Sequence, residues 1–289
     1  MKREKPFKSI TALIEILRGR MLDLDDESGA EKFLYDFNYY RFTGYARQWQ
    51  QNPAHGVDQF QDGTTFSDIL DVIERDSRMR RILSDGLRTI ELSVRARFAH
   101  ELGDTHGETA FYLDPDSYLP IMPRMDEFLE GLERDLRRSK SPTIARYTAD
   151  SGSLEDVPVW VAVEVLSFGS IAKMVQYLQD DYPARAVASS YSVKWAGFQS
   201  TIHSLAVLRN VCAHHAQIWH RKLDIQCPTN RKLRPRGINF DPQGPYAAII
   251  AMKELLKSIS GNQVWADEVD AHLDSSSTYS SGIYRPFAK

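Results

Sequence analysis

The stretch that begins at Thr65 narrows the possible folds more than any other. Thr65-Phe66-Ser67-Asp68 has the form of a capping box: a hydroxyl to receive a free backbone N–H and, three residues on, an acid to reach back. Behind it Ile69, Leu70, Ile73, Ile82, Leu83, Leu87, Ile90, Val94 and Phe98 recur at helical spacing, which predicts one long helix to about Leu102. An apolar stripe of that length must be covered by other elements. Seven arginines share the stretch: Arg75, Arg78, Arg80, Arg81, Arg88, Arg95 and Arg97. Most are expected on its solvated side, some paired with Asp76, Asp85 and Glu91.

The covering elements also read as helices. Residues 6–20 predict a short amphipathic helix capped by Ser9, with Ile10, Leu13, Ile14 and Leu17 inward. Glu31 to Trp49 predicts another, dense in aromatics and interleaved with Arg41 and Arg47. That mixture suits a core helix with tyrosine hydroxyls at its edge, and it also suits stacking on unpaired bases. Gln51 to Thr65, with Pro53, Gly56 and Gly63, predicts a loop. Met125 to Arg138 predicts a helix on Phe128, Leu129, Leu132 and Leu136. The run from Val157 to Gly169 predicts a buried helix, with Asp156 as cap and Pro158 in its first turn; it would place the Glu164 carboxylate in the core. Helix continues over Ser170 to Leu178. Further helices are predicted over 193–222 and 246–259, with a possible extension to Leu273. From Asp274 the serine-rich tail reads as mobile. The expected architecture is a single all-α helical bundle over residues 1–265, with a partly disordered tail over 266–289.

Bulk properties remove several function classes. A net charge of −3 confines any nucleic-acid site to a local patch. Arg221, Lys222, Arg231, Lys232, Arg234 and Arg236, against the single acid Asp224, supply a candidate patch expected to lie beside the 193–222 helix. Two cysteines, Cys212 and Cys227, speak against a disulfide scaffold and fit a reducing cytosol. No run of 18 apolar residues occurs, so the expectation is a cytoplasmic protein without a membrane span.

The 193–222 segment concentrates the chemistry. Trp195, Phe198, Ile202, Leu205, Arg209, Cys212, Ala216 and Trp219 form one line with Arg209 set among apolar residues. A guanidinium there needs an anion, either a ligand phosphate or a carboxylate of the chain, and Glu164 is the acid expected to meet it. The neighbouring line, His203, Val207, Asn210, His214, Gln217 and Arg221, is mostly polar. Cys212, His214, His215, His220 and Cys227 lie close in sequence, but no His-x-x-x-His or Cys-x-x-Cys spacing occurs, so neither a metal nor another cofactor is expected. A structural reading leaves Arg209 and Asn210 as braces. A chemical reading uses a neutral imidazole as acid and base for ribose 2′-OH attack and an arginine for the phosphorane charge. Arg209 and His214 lie about 140° apart on one helix, so two copies around a two-fold axis would complete a cleft better than one.

Arg209-Asn210-Val-Cys-Ala-His214 resembles the Arg-x(4–6)-His motif of the HEPN superfamily, which includes metal-independent ribonucleases. The phrase from Leu208 to Arg221 is similar to the signature of the Abi-like abortive-infection proteins of the AbiD/AbiF type. Three more phrases resemble that family: Lys5-Pro-Phe-Lys-Ser-Ile10, Asn38-Tyr-Tyr-Arg-Phe-Thr-Gly-Tyr45, and Pro158-Val-Trp-Val-Ala-Val-Glu-Val-Leu-Ser-Phe-Gly169. The resemblance implies a HEPN-like helical fold, a homodimer with a composite cleft and an antiviral, toxin-like ribonuclease role in anti-phage defence. It implies Arg209 and His214 as catalytic and Asn210 as positioning; Glu164 and His215 are the residues expected to support them. RNA, and an antitoxin or RNA regulator, are the implied partners. The alternative is a non-catalytic HEPN module that binds RNA, a nucleotide or a protein. Where the family signature has Trp-Asn-Arg, this chain has Trp219-His220-Arg221.

Overall fold

The computed structural model describes residues 6–261 and 263–286. Among them the chain is all-α, with one small two-stranded sheet. In order the elements are α1 Ile10–Gly19, α2 Glu27–Phe37, α3 Tyr39–Ala46, β1 Gln50–Asn52, β2 Val57–Phe60, α4 Phe66–His106, α5 Met125–Arg138, α6 Pro142–Tyr147 and α7 Val159–Ala162. They continue with α8 Phe168–Tyr177, α9 Tyr182–Ser190, α10 Phe198–Ala213, α11 Pro245–Ser260, α12 Val264–Asp274 and α13 Ser277–Tyr284.

The capping box forms at Thr65, with Thr65 Oγ1 and Asp68 Oδ2 each accepting from the other's backbone N–H at 3.0 Å. The helix it opens, α4, has 41 residues and so runs about 60 Å. Its stripe from Phe66 to Leu102 is buried, and α3, α7, α9, α10, α11, α12 and α13 pack around it. α4 is therefore the axis of the molecule. At Gly86 the Trp265 ring of α12 lies where a Cβ would stand, and the indole N–H donates to Ile82 O at 2.7 Å.

Locally coded elements match the sequence reading. Ser9 caps α1 and Ile14 and Leu17 are buried. α5 has the expected ends and buries Phe128, Leu132 and Leu136. Other expectations need correction. The single helix over 31–49 is two helices, broken at Asn38, whose φ of +73° stops α2 while its side chain caps α3 through Tyr40 N. The 51–65 loop holds the antiparallel β1–β2 hairpin. The buried helix over 157–169 is only one turn, α7, followed by a bend and then α8 under a Ser167 cap. Pro158, not Asp156, precedes α7, and the Asp156 carboxylate instead accepts from Ser151 Oγ. The bend has a tertiary cause: the carbonyls of Val163 and Leu166 both turn onto the Arg95 guanidinium. Glu164 then points outward and is exposed, not a core carboxylate. The serine-rich tail is also ordered over Ser277–Tyr284, where α13 buries Tyr279 and Ile283.

Candidate active site at the end of α10

α10 is shorter than the 193–222 helix read from sequence. It starts after Gly197, at φ +98°, and ends at Ala213, with His214 as its C-terminal cap. His215 then adopts φ +53°, and Ala216 N returns to Val211 O at 3.0 Å. Intrinsic propensity does not stop the helix here. The following residues are held by a buried carboxylate on α4, since Ile218 N and Trp219 N donate to Asp76 at 3.1 and 2.9 Å. A continued helix would have turned those N–H groups onto its own preceding carbonyls.

Asp76 is fully buried and accepts from five donors. Besides the two backbone groups these are Tyr45 Oη of α3, Tyr279 Oη of α13 at 3.0 Å, and Arg80 one turn along α4. A buried carboxylate stays ionised only when paired and hydrogen-bonded in this way. Burial, and then the Asp76 charge, push the Tyr45 and Tyr279 phenols well above the ordinary range, so both remain donors. Burial is the strongest single influence and works against the Arg80 charge, but Asp76, Tyr45 and Tyr279 together outweigh it and the guanidinium is held above its usual value. Trp219 packs on Tyr45 and Trp49, and its ring fills the space that a Cβ on Gly282 of α13 would need.

A second acid on α4 meets the motif arginine. Arg209 Nε donates to Glu91 Oε2 at 3.0 Å, and the other oxygen of Glu91 accepts from Arg95 at 2.5 Å. The partner of Arg209 is thus Glu91 and not Glu164. The Glu91 side chain is nearly buried, whereas that of Arg209 is 43% exposed. Asn210 and His214 are exposed as well, and among the described residues neither side chain has a hydrogen-bond partner. Helix, turn and ion pair therefore present a guanidinium, an amide and an imidazole at the C-terminal end of α10. His215 is exposed, and its carbonyl accepts from Arg41 of α3 at 3.1 Å.

The remaining basic residues divide. Arg221 is half-buried and donates to Gln217 O at 2.7 Å, beside the motif turn. Lys222 pairs with Asp241 at 3.1 Å. The segment then runs back along α10: Ser204 Oγ donates to Ile225 O, and Pro228 sits against Gly197. Arg231, Lys232, Arg234 and Arg236 are all exposed, and the first three consequently lie toward the N-terminal end of α10. That end is roughly 20 Å from the motif. Arg231 and Lys232 line a groove of about 400 Å³ there with Lys194 and Glu254.

His220 is half-buried at φ +56°, with its ring edge-on to Trp219 at 4.3 Å. Asn, Asp and His are the side chains that enter this left-handed region most readily. The backbone at this position thus suits a histidine as it would an asparagine. Burial pushes its imidazole down to about 4, so it is neutral at pH 7. Burial likewise pushes the Cys212 and Cys227 thiols up to about 12, which leaves them unreactive. Among the described residues no group of three or more His, Cys, Asp or Glu side chains is placed to hold a metal ion, and no helix is long and apolar enough to cross a membrane.

Asp76 and Glu91 are more central than pairing partners for surface arginines. Their signal was in the sequence: both sit on the apolar line of α4 that runs through Ile73, Arg80, Leu83, Leu87, Val94 and Phe98. No curated protein and no solved structure matches the chain. Comparison with known families gives a match to the Abi-like proteins over residues 32–220. The matched region spans Tyr45, Asp76, Glu91, Arg209, His214 and Trp219, which build this site and its support, and it covers well over half of the chain. The chain therefore belongs to the Abi-like protein family, a membership that supports a role in abortive infection.

Proposed function

We propose that this protein is a metal-independent RNA endonuclease of a toxin-like, anti-phage abortive-infection system. The observation that carries the reading is the exposed Arg209–Asn210–His214 set at the end of α10, its arginine oriented by Glu91. His214 removes the proton from a ribose 2′-OH, and the 2′-oxygen attacks the adjacent phosphorus. Arg209 neutralises the charge that builds on the phosphorane oxygens, and Asn210 orients the phosphate. The 5′-oxygen leaves with a proton, and the product carries a 2′,3′-cyclic phosphate. The proton for the leaving oxygen comes from a second imidazole, His214 of another copy packed around a two-fold axis.

The test is incubation of the purified protein with a mixed RNA pool in EDTA, with product ends analysed and mass measured by light scattering. Wild type should be dimeric and yield cyclic-phosphate ends, and folded, dimeric His214→Ala should yield none. Cleavage that persists in His214→Ala, or that needs added zinc, overturns the assignment. A second reading has one specific observation in its favour. Arg209 already has a carboxylate partner, as a brace in a non-catalytic RNA-, nucleotide- or protein-binding HEPN module would. Full retention of partner binding by His214→Ala, with no cleavage by either protein, selects that reading.

A further inference from the structure

A larger groove, of about 810 Å³, opens on the other side of α3 from the motif turn. Its walls are α1, α2, α3 and the β hairpin, and its volume lies in the range of sites that enclose small ligands or parts of larger ones. The surface is unusual for a groove between packed helices, because aromatic rings are left in water along it. Tyr35 is 81% and Tyr40 60% exposed, Phe7 stands almost wholly in solvent, and Tyr39 meets Tyr40 edge to face at 5.8 Å. Lys8 and Arg47 are exposed at the same groove, and among the described residues Arg47 has no anionic partner. Among the described residues the one acid in the wall, Asp58, is tied to Arg20 at 3.1 Å.

α3 joins this groove to the motif. Asn38, Tyr39, Tyr40, Thr43 and Arg47 face the groove, whereas Arg41 holds His215 O and Gly44 lies against Gln217. One helix, about 10 Å across, therefore separates the aromatic wall from the turn that carries His214. Flat rings that stack on any base, with cations spaced between them, are the chemistry that recognises an unpaired strand. A duplex cannot use them, because its bases are already stacked on one another.

We propose that this groove binds an unpaired stretch of RNA, with Tyr35 and Tyr40 stacking on bases and Lys8 and Arg47 meeting phosphates, and that the strand passes over α3 to His214. The inference rests on the ribonuclease reading above and names its substrate as single-stranded. It also moves the main RNA contact away from the basic cluster at Arg231–Arg236.

The test uses the full chain carrying His214→Ala, so that RNA is bound without being cut. Fluorescence anisotropy is measured with a short unstructured labelled RNA and with the same RNA annealed to its complement. The unpaired RNA should bind more tightly than the duplex. Tyr35→Ala should weaken it by roughly five- to 150-fold, and Tyr35→Phe, which keeps the ring, should restore it. Thiouridine crosslinks should map to Tyr35 or Tyr40. Unchanged affinity in Tyr35→Ala together with Tyr40→Ala, or crosslinks at Arg231 and Lys232 instead, overturns the proposal. So does an absence of RNA binding with a protein partner bound at the tyrosines. Failure of the nuclease reading looks different: RNA binding depends on Tyr35 while no His214-dependent cleavage is found. The converse, His214-dependent cleavage indifferent to Tyr35 and Tyr40, removes the groove and keeps the nuclease.

Discussion

α4 buries two acids, Asp76 and Glu91, each with an arginine four residues on, and the two pairs have opposite consequences. Asp76 with Arg80 lies wholly inside, and every donor around the carboxylate belongs to the frame of the molecule. Glu91 with Arg95 lies at the edge of the core and sends its second oxygen to an arginine that reaches solvent. The first pair shapes backbone: it fixes where α10 stops and how the chain turns after His215. The second shapes charge: it holds a guanidinium in one orientation while leaving its face free. An acid on an apolar line can thus serve either architecture or a surface group, and the exposure of its farthest partner distinguishes the two.

This contrast orders the expected effects of mutation. Asp76→Ala is the harshest, because it strands Arg80 and two backbone N–H groups in the core. A loss of about 3–5 kcal/mol is expected in chemical denaturation, together with a changed near-ultraviolet signal from Trp219. A loss below about 1 kcal/mol would reduce Asp76 to one contact among many. Glu91→Gln keeps the shape and removes the charge shared by two arginines. It should cost about 1–3 kcal/mol, less than Asp76→Ala, because Arg95 keeps its two carbonyls and Arg209 can turn to water. Equal costs for the two variants would erase the distinction between them.

A pH titration sharpens the same contrast. The buried imidazole of His220 has its proton affinity lowered to about 4, against about 6.5 in an unfolded chain. Between those values the unfolded chain binds a proton that the folded one refuses, so stability present above pH 6.5 is lost as the pH falls toward 4. His220→Asn suits the left-handed backbone and removes the titration. Its melting temperature should therefore fall less than that of wild type between neutral and mildly acidic buffer, and parallel curves would show that His220 plays no part. Arg209→Lys should have the smallest effect on stability, under about 1 kcal/mol, since the side chain is half in water. In the nuclease assay it should nonetheless cost about a hundredfold, because an ammonium cannot present the planar fork. Full activity in that variant would leave Arg209 as a brace only.

What could be read from the sequence was what neighbours in sequence decide. The capping box at Thr65, the Ser9 cap and the stripes of α4 and α5 are local patterns, and they form as read. The need of Arg209 for an acid was also legible, from its place on an apolar line. Which acid was not, because Glu91 is 118 residues away and Glu164 looked internal only while its run was taken as one helix. The breaks at 163–167 and at His215 come from a distant guanidinium and a distant carboxylate drawing on the backbone. No propensity in either segment encodes that. The aromatic phrase over 33–49 held two readings at once, and both are present on different faces: Phe42 and Tyr45 are core, whereas Tyr35 and Tyr40 stand in water.

The reach of Asp76 also bears on how the protein is made. Its donors extend from Tyr45 to Tyr279, so the carboxylate is fully satisfied only when the last helix has docked. Synthesis proceeds from the N-terminus at a limited rate, and contacts so far apart in sequence form late. A nascent chain that already contains Arg209 and His214 still lacks the Tyr279 hydroxyl and the Gly282 backbone against which Trp219 packs. The turn after α10 therefore takes its final shape only once the segment through Gly282 has been made and has docked. The folding order itself delays completion of the site until α13 is in place.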